Sequence, residues 1–170
     1  MKNKQVILVD ENDVPRGTME KMDAHKKAEL HRAYSVFIFN SKKELLLQRR
    51  AYHKYHSGGL WTNTCCSHPQ PDENLKASAQ KRLNEEMGID CDLEHLFHFI
   101  YKAKLDNELT EHELDHVFIG HYNSSPKINT QEVVEWKFMA IHEIQQSLKQ
   151  NPEQFTTWFK IIFEKVLEHL

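Results

Sequence analysis

Between Asn74 and Gly88 four apolar residues, Leu75, Ala79, Leu83 and Met87, recur at every fourth position. That spacing fits a helix with one buried face, and Gly88 is the residue type at which such a helix stops. Strand-forming apolar runs flank it: Val6 to Val9, Ala33 to Phe39 and Leu45 to Gln48 before it, then Leu93 to Leu105, Leu114 to Tyr122 and Val133 to Met139. Asn40 to Glu44 reads as the loop of a hairpin, Glu11 to Gly17 as a turn, and Tyr52 to Gly59 as a loop with two glycines and basic groups. Asn151-Pro152-Glu153 offers a cap and a proline at the first helical position. Phe155, Phe159, Ile162, Phe163, Val166 and Leu170 then form the buried stripe of a closing helix. Interleaved strands and helices predict an α/β (α+β) fold, a mixed β-sheet sandwiched between helices, in a single domain over residues 1–170.

A formal net charge of -3 gives no electrostatic case for nucleic acid or an anionic membrane surface. Three cysteines, two of them adjacent, make a poor disulfide framework. Without a Cys-x-x-Cys pair, a zinc-finger module is disfavoured. The Val6 to Val9 run is too short for a signal peptide or a membrane span, so a reducing, cytoplasmic location is expected.

Three constellations carry chemistry. In Trp61 to Pro69, strand alternation sends Thr64, Cys66 and His68 to one face and Cys65 and Ser67 to the other. One face then holds a nucleophile or base beside a metal ligand, unless the cysteines are small buried hydrophobes. In Glu111-His112-Glu113-Leu114-Asp115 the three acids share a strand face. They are either a solvated edge or, with His25, His31 and His68, a mixed nitrogen and oxygen metal site. Lys21, Arg49, Arg50, Lys54 and Arg82 are either solvated charges or a convergent anion site.

The helix ends Lys81-Arg82-Leu83-Asn84-Glu85-Glu86-Met87-Gly88-Ile89, which resembles the end of the Nudix box. Glu85, Glu86, Gly88 and Ile89 are in place, with Glu73 at the upstream acid. Ser67 stands where the box has its first glycine, and Lys81-Arg82 where it has Arg-Glu. Arg82 replaces a metal-binding carboxylate by a phosphate-binding cation, which suits holding a diphosphate without cutting it.

With His31-Arg32-Ala33-Tyr34-Ser35, Trp61 to Pro69 and Glu111-His112-Glu113, nearly the whole chain resembles the type I isopentenyl-diphosphate isomerases, a divergent Nudix branch. The resemblance implies a Nudix-like sheet and the interconversion of isopentenyl and dimethylallyl diphosphate by protonation and deprotonation through a tertiary carbocation. Cys66 resembles the family's catalytic thiol, Glu113 the carboxylate across the site, and Tyr101 the hydroxyl that helps deliver the proton. His25, His31, His68, Glu111 and Glu113 resemble the ligands of a divalent metal, which could be Zn²⁺, Mn²⁺ or Mg²⁺. Glu86, helped by the Cys66 backbone carbonyl, would hold Mg²⁺ on the diphosphate. Lys21, Arg50, Lys54 and Arg82 match diphosphate-binding positions and Trp158 the aromatic over the hydrocarbon. Metal and cations near Cys66 are expected to lower its thiol pKa. The expected partner is a small prenyl diphosphate handled by a monomer, with no nucleic acid and no membrane. The alternative is a Nudix hydrolase, which would want an unbroken box and no thiol. A noncatalytic binding module is the third reading.

Overall fold

A computed structural model describes residues 4–170. The chain opens with an antiparallel hairpin, β1 (Gln5–Val9) and β2 (Pro15–Glu20). Its turn is shorter than the sequence suggests. Asp10 accepts hydrogen bonds from the backbone N–H groups of Asn12 and Val14 at 2.8 and 3.0 Å, so the chain re-enters the sheet at Pro15. Glu20 then caps a helix absent from the sequence reading, α1 (Lys21–Lys27), by accepting from the Asp23 N–H at 3.1 Å.

The expected hairpin of β3 (His31–Phe39) and β4 (Glu44–Arg50) follows. The loop after it leads to two short strands, β5 (Trp61–Thr62) and β6 (Cys65–Ser67). The helix of the four-residue repeat forms as α2 (Leu75–Met87), capped by the Asn74 side chain and stopped at Gly88, whose φ is +64°. Beyond it lie β7 (Glu94–Lys104), β8 (Thr110–His121) and β9 (Val133–Ala140). The strand β8 begins four residues before Leu114 and so takes in the whole acidic run.

The C-terminal end differs more. A helix without a side-chain cap, α3 (Ile141–Gln150), precedes the proline. Pro152–Gln154 makes only a 3₁₀ turn. Phe155 is held extended against Trp61, and the Thr156 N–H donates to the Trp61 carbonyl at 2.9 Å. The closing helix α4 (Thr157–His169) therefore starts from Thr156, which accepts from the Phe159 N–H at 3.3 Å. Its predicted stripe is buried except for Leu170, which is exposed at the chain end.

At the centre β3 runs parallel to β8 along its full length, while β7 pairs antiparallel to β8 and β9 to β4. Alternation divides the sheet residues between two cores. Phe37, Phe39, Leu45, Leu47 and Val117 pack with Ile144 of α3 and Phe159, Ile162 and Phe163 of α4. Val36, Ile38, Leu46 and Phe118 pack with Ala79, Leu83 and Met87 of α2. The fold is the expected mixed sheet between helices.

Candidate active site

The acidic run of β8 is not a solvated edge. Glu111, Glu113 and Asp115 are all buried on the face that also carries Tyr101 of β7, which pairs directly with Glu113. Glu113 accepts from the Tyr101 hydroxyl at 2.6 Å through Oε1, while its Oε2 lies 2.7 Å from His68 Nε2 and 3.2 Å from His31 Nε2. Burial alone would raise the Glu113 carboxyl, but the His31 and His68 imidazoles set against it outweigh burial and hold Glu113 well below the usual range. Glu111 moves the other way, raised by burial and by the Glu113 charge. Burial and the same acids keep the Tyr101 phenol raised, so it remains a donor.

The three histidines arrive from α1, β3 and the segment after β6, their rings 5.0 to 5.8 Å apart. His25 Nδ1 lies 2.7 Å from the Lys21 carbonyl and His31 Nδ1 lies 2.8 Å from the Glu29 carbonyl. Those carbonyls accept the Nδ1 proton and turn each Nε2 lone pair inward, the outer-shell device of metal-binding histidines. One donor atom from each of His25, His31, His68 and Glu113 lies within 4.8 Å of the others. His31 Nε2 and Glu111 Oε1 are buried without a hydrogen-bond partner among the described residues. Such a nitrogen and oxygen donor set with orphaned atoms fits a divalent metal. Burial pushes His68 down to about 4 and lowers His25, so both rings are neutral and free to ligate.

Cys66 and Cys65 take opposite sides of β6, as alternation requires. Cys65 is buried in the α2 core, whereas Cys66 lines a cavity shared with Tyr101, Glu113 and His68. Ser67, the last residue of β6, also lines this cavity. Burial pushes the Cys66 thiol up, with Glu86, Glu111 and Glu113 adding to the rise. Arg50 pulls it down, but not far enough to lower it overall as expected.

The same cavity is lined by Lys21, Arg50, Lys54, Arg82, Glu86 and Trp158, which sequence reasoning had singled out. Arg49 instead points to the Gly59 carbonyl and Glu135. The other cations are only partly neutralised. Arg82 contacts Glu86 at 2.6 Å and Glu132 at 3.2 Å, and Lys54 pairs with Glu132. Glu86 also accepts from the Gln48 amide at 2.9 Å. Arg50 Nε is buried without a partner among the described residues, and its guanidinium lies 5.1 Å from the Trp158 ring centroid. Lys21 is lowered to about 8, by burial and then by Lys4, Lys54, Arg50 and Arg82. Cations crowded together against their own repulsion create a positive field that an anion would relieve.

Sequence reasoning missed Lys4, Tyr55, His56 and Glu132, which also line the cavity. His56, pushed down to about 3 by burial, stands edge-on to Trp158 at 5.6 Å. The only signal for Tyr55 and His56 was their place beside Lys54 in a loop; Lys4 and Glu132 sit in no pattern at all.

Residues 29–159 match the sequence profile of the NUDIX domain. The chain is 53% identical over 165 residues to the isopentenyl-diphosphate Delta-isomerase of Pectobacterium atrosepticum, covering 97% of this chain and 92% of that one. It is 47% identical to isopentenyl-diphosphate Delta-isomerase 2 of Aromatoleum aromaticum, covering 96% and 86%. Among solved structures it resembles DR0079 from Deinococcus radiodurans, with a TM-score of 0.72 at 14% identity over 87% of this chain and 90% of that one. A MutT protein from Methanosarcina mazei gives 0.65 at 22% identity over 80% and 91%.

Proposed function

The chain belongs to the Nudix family, within its isopentenyl-diphosphate Delta-isomerases, and from that premise we propose how its own residues carry the reaction. It is an isomerase that interconverts isopentenyl and dimethylallyl diphosphate in isoprenoid biosynthesis. Lys21, Arg50, Lys54 and Arg82 bind the diphosphate, and Lys4 adds to their field. Trp158 and the aromatic wall beside it hold the five-carbon chain and exclude water, which would otherwise trap the cation as an alcohol. Glu113 and Tyr101 hold a proton on one side of that chain, and Cys66 faces it from the other. With Cys66 a thiol and Glu113 ionised, Cys66 delivers a proton to the alkene and Glu113, beside Tyr101, takes one from the neighbouring carbon. From the resulting thiolate and protonated carboxyl the roles exchange in the reverse direction. Trp158 stabilises the intervening cation by ~0.5–2 kcal/mol.

His25, His31, His68, Glu111 and Glu113 would hold one divalent ion, Zn²⁺, Mn²⁺ or Mg²⁺, and Glu86 with the Cys66 carbonyl a Mg²⁺. The ions would supply Lewis acidity beside Glu113 and neutralise diphosphate charge. Residues 1–170 act as one catalytic domain, a monomer of the cytoplasm. In support, its three cysteines are free thiols and no helix among the described residues is long and apolar enough to cross a membrane.

The observation that carries this reading is Glu113, shared between Tyr101 at 2.6 Å and the histidines at 2.7 and 3.2 Å, in one cavity with Cys66 and the cations. Proton NMR of isopentenyl diphosphate with the enzyme, Mg²⁺ and Zn²⁺ in D₂O tests it, run beside Cys66→Ala. Dimethylallyl diphosphate carrying deuterium in its methyl group is expected from the parent and not from the variant. Inorganic phosphate release with the variant still active would make the protein a hydrolase instead.

A further inference from the structure

We propose that His95, His98 and His116 form a second divalent-metal site, on the face of the sheet opposite the reaction centre, that takes a first-row transition ion such as Zn²⁺. One ring nitrogen from each lies within 4.8 Å of the other two. His95 Nε2 and His116 Nδ1 are 2.9 Å apart, close to the ~3.0–3.4 Å that separates two nitrogens held ~2.1 Å from one ion. His98 lies directly across the β7–β8 pair from His116, with ring centroids 5.1 Å apart.

Local structure assembles this trio for a specific reason. Positions 95 and 98 of a regular strand would point to opposite faces. The pairing register of β7 shifts between His95 and Phe97, which places one extra residue there and returns His98 to the His95 side. On β8, His116 alternates with Asp115 and so faces away from the acids of the reaction centre.

A second observation independently points to a metal ligand. His116 Nε2 donates to Asp13 Oδ2 at 2.9 Å, which fixes the tautomer and leaves the Nδ1 lone pair facing His95. Asp13 is itself held by Arg32, from Nε to Oδ1 at 2.7 Å and from a terminal nitrogen to the Asp13 carbonyl at 2.8 Å. An aspartate that orients an imidazole, and is oriented in turn, is the supporting shell of a protein metal site. His116 is buried while His95 and His98 are exposed, so one side of the site stays open to solvent. An ion there ties β7 and β8 to the β1–β2 turn that carries Asp13. Imidazole donors without carboxylate favour Zn²⁺, Ni²⁺ or Cu²⁺ over Mg²⁺ or Ca²⁺.

Equilibrium dialysis against low-micromolar free Zn²⁺, with Mg²⁺ in excess, tests the proposal on the full chain. The parent is expected to bind one equivalent more than His98→Gln, with isomerase turnover the same in both. Asp13→Asn keeps the three ligands and loses their support, and is expected to weaken that equivalent ~10-fold or more. His25→Gln is expected to retain it. The difference between parent and His98→Gln is the same whichever ion occupies the reaction centre. Equal zinc content in the parent and His98→Gln overturns the proposal, as does loss of the additional equivalent in His25→Gln.

Discussion

Both oxygens of Glu113 are engaged at once, one by a phenol and the other by two imidazoles, so a change at either partner is felt at the carboxylate. Tyr101→Phe keeps the packing of the ring against Phe99 and removes only the donor. Steady-state kinetics are expected to show kcat reduced ~10²-fold or more with KM within a few-fold, the pattern of a group that moves or positions a proton. A rise in KM at unchanged kcat would instead make Tyr101 a binding residue. Lys21 lines the cavity in the proposed anion-binding half, and its pH behaviour follows from its neighbours. Held at about 8 by burial and by Lys4, Lys54, Arg50 and Arg82, it is an ammonium below that pH and loses its charge above it. The free enzyme therefore holds the diphosphate best below about 8, and kcat/KM is expected to fall as pH rises through that value, with kcat flat. Lys21→Arg, which stays charged, is expected to carry the plateau to higher pH. A profile flat to pH 9.5 in the parent enzyme would remove Lys21 from the diphosphate site.

Elements were readable in the sequence where their ends and period agreed, and obscure where tertiary contacts decided. The helix α2 had a four-residue period, an Asn cap and a glycine stop, and it formed as expected. In contrast, α1 has seven residues and too few apolar positions to show a period, and its cap is a glutamate side chain. The C-terminal helix had a strong stripe, yet its start was misplaced because Phe155 and Thr156 answer to Trp61, a residue far away in sequence. Asn151-Pro152 kept its turn-forming role without propagating a helix. Gly88 gives the test at this scale. Its φ of +64° is unfavourable for an L side chain, and a Cβ there would lie 2.6 Å from the Lys127 carbonyl oxygen. The segment beyond caps the helix, with Lys127 and Asn129 donating to the carbonyls of Met87 and Glu86 at 2.8 and 2.9 Å. Gly88→Ala is expected to cost about 2 kcal/mol, read as a lower urea midpoint with unchanged slope. An unchanged midpoint would mean that this junction tolerates the strain.

The site belongs to the whole molecule, since it draws on α1, β3, β4 and the loop after it, β6, α2, β7, β8 and the start of α4. Motifs exposed those members that cluster in sequence or match a pattern, such as Cys66, His68, Glu111 and Glu113. They could not expose Lys4 or Glu132, which reach the cavity only through the β1–β2 hairpin and the approach to β9. The proposed metal-ligand set has the same long-range character, because His25 comes from α1 while Glu113 sits on a central strand. A divalent ion there would fasten the N-terminal hairpin and α1 to β8, with a stabilisation of ~2.7 kcal/mol at an ion concentration a hundred times its dissociation constant. Chelation is therefore expected to abolish turnover and lower the melting temperature together. Hydrogen exchange should then rise mainly over residues 21–31, with the β4–β9 pair little changed, because the fastened segment opens before the core does. The experiment is best run on His98→Gln, so that the second proposed site contributes nothing. Zn²⁺ or Mn²⁺ added back should restore both quantities. If chelation abolished turnover but left exchange over 21–31 unchanged, the ion would be serving the chemistry without holding the N-terminal segment. If it changed neither, His25, His31, His68 and Glu113 would be a hydrogen-bonded core that needs no ion, and the orphaned His31 Nε2 would require another explanation.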